Sequence, residues 1–187
     1  TVASNASIGS GVGALSFNKV IGITKAYTTR VGYGPFPTEE NNNIGKSLGK
    51  VGNEFGTVTG RKRRCGWLDV VMLKQAITKS GVNSLVLTKL DVLDQFHEIK
   101  ICTRYDINGN IFKYLPSNEI LQMKIKPIYI TLPGWKNNTY GENTFSNLPK
   151  NAISFIQKLE KLVDCKIDII STGPDRDHTI IINNHFD

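Results

Sequence analysis

Two periodicities of apolar residues organise this chain. From Trp67 to Ile77 they fall on one helical face (Trp67, Val70, Val71, Leu73, Ile77), and Gly81 is placed to stop the helix, which predicts a helix over about 67–79. A second helix is expected after Thr144–Leu148, with Asn147 as its cap and Pro149 in its first turn. Ile153, Ile156, Leu159 and Leu162/Val163 form its buried stripe. Short runs rich in β-branched and aromatic residues read as strands: part of Val20–Gly32, SLVLTKLDVLD, KPIYITLPGW, KIDII and TIIIN. HEIKICTRYDI and NIFKYLP flank Asn108-Gly109 and read as a hairpin. Residues 4–13 (SNASIGSGVG) read as a glycine- and serine-rich turn, whose amides cradle an anion or form an ordinary loop. Asn41–Gly49 reads as a surface loop or short helix. Strands alternating with helices, without an internal repeat or linker, point to an α/β fold in one domain.

Composition narrows the partners. The 187 residues are 40% hydrophobic and 21% charged, as in globular proteins, and no apolar run is long enough to span a bilayer. The net charge is +7, of which Arg61, Lys62, Arg63 and Arg64 supply four, so the basicity is local and favours a small anionic ligand over an extended polyanion surface. Cys65, Cys102 and Cys165, like His97, His178 and His185, are scattered without ligand spacing. This suits a reducing, cytoplasmic compartment and no metal site in these residues. The opening residues lack an initiator methionine, so the chain is expected to be a piece of a longer protein.

The chemistry concentrates in GNEFGTVTGRKRRCGWLD (52–69). Gly52, Gly56 and Gly60 allow backbone N–H groups to approach an anion, Thr57 and Thr59 add hydroxyls, and guanidinium forks pair with carboxylate or phosphate. A solvated basic loop, or a patch that grips RNA, is the competing reading of the same run. Lys89 and Asp91 come near the C-terminal end of an apolar strand, where open α/β sheets place ligands, and Ser171, Thr172 and Gly173 sit where a sheet edge opens, to contact a ring or simply to form a tight turn. The Lys89–Asp91 spacing puts both on one side of a strand, where they read equally as an ion pair.

TRVGYGPFPTE (29–39), the 52–69 stretch, LTKLDVLD (87–94) and IDIISTGPDR (167–176) together resemble the adenylosuccinate synthetase family, in its order and spacing. The resemblance covers essentially the whole chain and implies the C-terminal portion of a single domain of that family, residues 1–187. The fold implied is part of a P-loop-NTPase-like mixed sheet flanked by helices, with the family's N-terminal portion absent. The activity implied is ligation of L-aspartate to IMP at the expense of GTP, with Mg²⁺, in a cytoplasmic homodimer without membrane or nucleic-acid partners. By the same resemblance, Thr57, Val58, Thr59, Gly60, Arg61, Lys62 and Arg63 form the loop that closes over L-aspartate. Arg61 and Val31 serve IMP. Arg63, Lys89, Leu90, Asp91, Ser171, Thr172, Gly173 and Pro174 serve GTP, with Asp91 reading the guanine edge. Val58 departs from the family's usual threonine, Lys62 lies at a variable position, and the IMP-phosphate contact near Thr1 and Val2 is unassigned. The family's phosphate loop, catalytic aspartate and histidine, and magnesium ligands match nothing here. The resemblance therefore places no catalytic residue in this chain and implies inactivity in isolation; an inactive remnant with a regulatory or dimerising role is the remaining alternative.

Overall fold

The computed structural model describes residues 2–13 and 16–184. Thr1 and His185 lie outside them. The first element, α1 (Ser4–Ser10), is a short exposed helix closed by Gly11 in the left-handed conformation, where a turn was expected. Nothing in SNASIGS bars the helix: its one glycine costs only about 1 kcal/mol relative to alanine.

The expected strand within Val20–Gly32 is two strands, β1 (Ile21–Lys25) and β2 (Thr28–Arg30). The chain turns at Ala26 and Tyr27, both buried in the core, and the two strands join different sheets. α2 (Asn43–Val51) follows, its first amides capped by Asn42 Oδ1, which accepts from Ile44 N at 2.8 Å and Gly45 N at 3.4 Å. After β3 (Arg64–Gly66) and β4 (Leu68–Asp69) comes α3 (Val70–Ser80). This helix starts later than its apolar stripe, because Trp67 forms a bend, Leu68 lies in β4 and Asp69 takes the capping position, accepting from Met72 N at 3.1 Å. Gly81 ends it at φ 61, as expected.

β5 (Ser84–Thr88) stops one residue before Lys89. β6 (Glu98–Ile107) and β7 (Asn110–Phe112) form the expected hairpin, with Asn108 and Gly109 both at positive φ, the geometry a two-residue turn requires. α4 (Glu119–Gln122), β8 (Lys126–Pro133), α5 (Lys150–Val163), β9 (Ile167–Ser171) and β10 (Thr179–Ile181) complete the order. Pro149, not Asn147, holds the N-cap position of α5, since Phe145–Asn147 close a separate 3₁₀ turn. The predicted face of α5 is buried through Ile156, Leu159 and Val163, joined by Ala152 and Phe155.

The main sheet runs β1-β5-β9-β10, the first three parallel and β10 antiparallel. β2 pairs β3, and β6 pairs β4, β7 and β8 in a third sheet. Fully buried Leu85 and Leu87 of β5 and Ile167 and Ile170 of β9 belong to the same core as the α5 stripe. Register fixes what this arrangement is for. Lys25 pairs Thr88 and Leu87 pairs Ile170, so the carboxyl ends of β1, β5 and β9 emerge along one edge. Among the described residues, no helix is long and apolar enough to cross a membrane.

Candidate functional site

That edge carries a buried carboxylate. Glu54 Oε1 accepts hydrogen bonds from Lys25 Nζ at 2.7 Å and Tyr27 OH at 2.6 Å and lies 3.6 Å from Lys89 Nζ. Glu54 Oε2 accepts from Arg63 NH1 at 2.8 Å. Burial by itself would raise its pKa, but the hydrogen bonds from Lys25, Tyr27 and Arg63 with the charge on Lys25 outweigh that and hold it down to about 2. Burial, reinforced by the Glu54 hydrogen bond, pushes the Tyr27 phenol far up, so it acts only as a donor.

Beyond β5 the chain does not continue as a strand. Lys89 adopts the left-handed conformation at φ 60, and Leu90–Leu93 form a 3₁₀ turn. The expectation that Lys89 and Asp91 lie along one side of a strand is therefore corrected. Lys89 instead donates to the Gly52 carbonyl, and no ion pair joins it to Asp91. Leu90 is fully buried and anchors the turn. Asp91 Oδ1 is buried with no hydrogen-bond partner. Burial pushes its pKa up to about 6, with Asp94 adding to the rise and a hydrogen bond from its own backbone, Lys89 and His178 opposing it.

The third segment follows β9. Ser171 Oγ donates to the Gly173 carbonyl at 2.9 Å, and buried Thr172 Oγ1 donates to the Glu142 carbonyl at 2.7 Å. His178 packs against Gly173, where a Cβ would collide with Nδ1, and edge-on against Tyr140 at 5.0 Å. Like Asp91 Oδ1, His178 Nδ1 is buried without a partner. Asp94 secures the covering loop by accepting from Trp135 Nε1 at 2.6 Å, Thr139 N at 2.7 Å and Thr139 Oγ1 at 2.8 Å. Pro174 is exposed at the turn.

The basic loop is a small hairpin. Phe55 bridges Lys62, Gly56 N donates to Arg61 O at 2.8 Å, and Gly60 turns the chain at φ 62. Its tip, Thr57 to Gly60, is exposed, and Val58 is 96% so. The four cations differ in duty. Arg63 is tied to Glu54, and Arg64 grips Glu39 with two bonds of 2.8 and 2.5 Å while donating to the Gly32 and Gly34 carbonyls at 3.2 and 2.8 Å. Arg61 and Lys62 are exposed, with Arg61 over the Tyr33 ring at 5.4 Å. Val31, 70% exposed, lies on the 31–35 loop that Arg30 and Arg64 hold by its carbonyls. A cavity of about 520 Å³ runs from Asn42 and Lys46 to Lys62 and Arg63, but neither Asp91 nor Ser171 lines it.

Residues 1–180 match the family model described as adenylosuccinate synthetase. The chain belongs to the adenylosuccinate synthetase family. It is 55% identical over 186 residues to an adenylosuccinate synthetase of Ehrlichia ruminantium (strain Welgevonden) and 53% identical to that of Ehrlichia canis (strain Jake), in each case over 100% of this chain and 43% of the relative. The solved structure of fully ligated adenylosuccinate synthetase from Plasmodium falciparum superposes with a TM-score of 0.93 at 37% identity, over 97% of this chain and 44% of that one. The chain thus spans under half the length of these relatives, and its mixed α/β fold is that of the family.

For this family member, sequence reasoning passed over Glu54, Lys25, Tyr27 and His178. A lone carboxylate between two glycines and ahead of four cations was the available signal for Glu54. Nothing along the chain announced the others: Lys25 ends β1, while Tyr27 and His178 lie in the turns before β2 and β10. Among the described residues, no group of three or more His, Cys, Asp or Glu could hold a metal. Cys65, Cys102 and Cys165 are all free. Burial pushes the first two thiols up to about 11 and 12, which makes them inert core residues.

Proposed function

We propose that this chain carries the L-aspartate loop and the guanine site of an adenylosuccinate synthase, a GTP-dependent ligase that joins L-aspartate to IMP. In that reaction the γ-phosphoryl group of GTP passes to the 6-oxygen of IMP, leaving GDP. The aspartate amine then displaces the phosphate at C6, giving adenylosuccinate. Charge gathers on phosphoryl oxygens throughout, and fixed cations at the strand ends stabilise it.

The observation that carries the proposal is Asp91. Its Oδ1 is buried at the carboxyl edge of a parallel sheet without any partner, beside Lys89 and the 171–178 segment. An orphaned buried acceptor is costly, and guanine offers the N1–H and exocyclic amine that would satisfy it. Adenine presents a lone pair there instead, which gives the preference for GTP. Ser171, Thr172, Gly173 and Pro174 would border the base, with Lys89 and Leu90 completing that wall. Thr57, Val58, Thr59, Gly60, Arg61, Lys62 and Arg63 would close over the dicarboxylate, Arg61 and Val31 would serve IMP, and Arg63 would also serve GTP. The rival polyanion reading loses support because Arg63 and Arg64 are engaged in internal pairs.

The placing of the chain in the family's C-terminal portion, as part of one domain, rests on the four motifs and their order. On this reading the proton-transfer groups and Mg²⁺ ligands belong to other residues of the enzyme, which acts as a cytoplasmic homodimer, and the isolated chain is inactive. The test is Asp91→Asn in the full-length enzyme. A loss of about 10- to 100-fold in kcat/KM for GTP, with little loss for ITP, is expected from one lost charged hydrogen-bond pair. Unchanged discrimination between GTP and ITP refutes the assignment.

A further inference from the structure

Glu54 is assigned to none of the proposed ligand contacts, yet it touches two of them. Its side chain is wholly buried, and one carboxylate faces three partly exposed cations, Lys25, Arg63 and Lys89. Arg63 ends the dicarboxylate loop and Lys89 begins the segment that presents Asp91. The two oxygens divide the work: Oε1 serves Lys25 and Tyr27 with Lys89 nearby, and Oε2 serves Arg63. Without the carboxylate, three like charges would face one another within a few ångströms and separate.

The backbone reinforces the same joint. Arg63 N donates to the Glu54 carbonyl at 2.9 Å, closing the base of the loop hairpin, and the Lys89 ammonium also reaches the Gly52 carbonyl. The residues on either side cannot easily give way. A Cβ on Gly52 would collide with the Tyr27 hydroxyl, so the glycine is what lets Tyr27 reach Glu54. The local balance is one negative charge against three positive ones. The cluster keeps a surplus of two that stays partly open to solvent and to an incoming anion.

We propose that Glu54 is a positioning residue: it fixes Arg63 of the dicarboxylate loop and Lys89 of the guanine site to one buried anchor, so both subsites are built from a single carboxylate. This rests on the site assignment made above. It makes the geometry of the two subsites interdependent through a group that contacts neither substrate.

The experiment is a double-mutant cycle in the full-length enzyme, read as KM for L-aspartate and for GTP with kcat measured alongside. Glu54→Gln keeps the volume and removes the charge. It is expected to raise both KM values by about tenfold, whereas a merely smaller folded fraction would lower kcat and leave KM unmoved. In an Arg63→Ala background the further rise in aspartate KM should shrink to within about twofold, and in Lys89→Ala the same should hold for GTP. Glu54→Asp, which retains the charge but withdraws it by one methylene, should raise both KM values less and serves alone if Glu54→Gln does not fold. Unchanged KM values in a folded variant, or penalties that multiply independently in every background, overturn the proposal. If Arg63→Ala and Lys89→Ala themselves leave the aspartate and GTP KM values unaltered, the site assignment beneath it fails instead.

Discussion

Asp91 carries a titration that the enzyme should feel. Its carboxyl is pushed up to about 6 chiefly by burial, so it is ionised above that pH and protonated below it. In the guanine site proposed above, only the ionised form would accept from both donors of the base. kcat/KM for GTP should therefore fall as pH drops through about 6, and Asp91→Asn should abolish that limb; a pH–rate series with GTP against ITP checks it. Glu54 behaves oppositely, since three donors hold it near 2 and it stays charged wherever the enzyme works. At this scale the sequence was informative about residue type and silent about partners. Arg63 and Arg64 are adjacent in one basic run, yet one is tied to Glu54 and the other to Glu39. The division follows from strand geometry: Arg64 pairs Arg30 across β2 and β3, while Arg63 lies outside that pairing.

Elements were largely legible where periodicity is long, as in α3 and α5, and misread where capping decides. α3 begins at Val70 because Asp69 Oδ1 takes the Met72 amide while Oδ2 accepts from the buried Tyr105 hydroxyl at 2.6 Å. Asp69 therefore caps one helix and ties it to β6. Asp69→Ala should cost about 2–4 kcal/mol, the sum of a lost cap and an orphaned buried hydroxyl, against about 1–3 kcal/mol for Tyr105→Phe, which keeps the cap but orphans a buried carboxylate oxygen; denaturant midpoints would measure both. The hairpin at Asn108-Gly109 was predictable because the turn demands positive φ at both residues. The break between β1 and β2 was not, because nothing local in TKAYTT ends a strand, and it is the burial of Ala26 and Tyr27 that turns the chain.

Across the whole molecule, close backbone approaches hold the small β2–β3 sheet against its surroundings. A Cβ on Gly66 would collide with the Thr38 carbonyl, and Gly66 also bridges Glu39. Gly66→Ala should therefore destabilise by about 3 kcal/mol or more, seen as a lowered Tm, and on the proposed assignment should also weaken use of L-aspartate, because Arg64 and Arg63 lie just upstream. The same tertiary order brings residues from β1, the basic loop, β5 and β9 to one edge, with parallel pairing setting the carboxyl ends side by side.

The amino-acid sequence by itself determined the alternation of helices and strands, the concentration of positive charge at 61–64, and the motifs that resemble one family. Each of these is written in local spacing or composition. Only the tertiary structure decided that Lys25, Tyr27, Arg63 and Lys89 surround Glu54, and that Asp91 keeps a buried oxygen without a partner. Those are matters of sheet register and burial, which depend on residues far apart in the chain and leave no periodic trace along it.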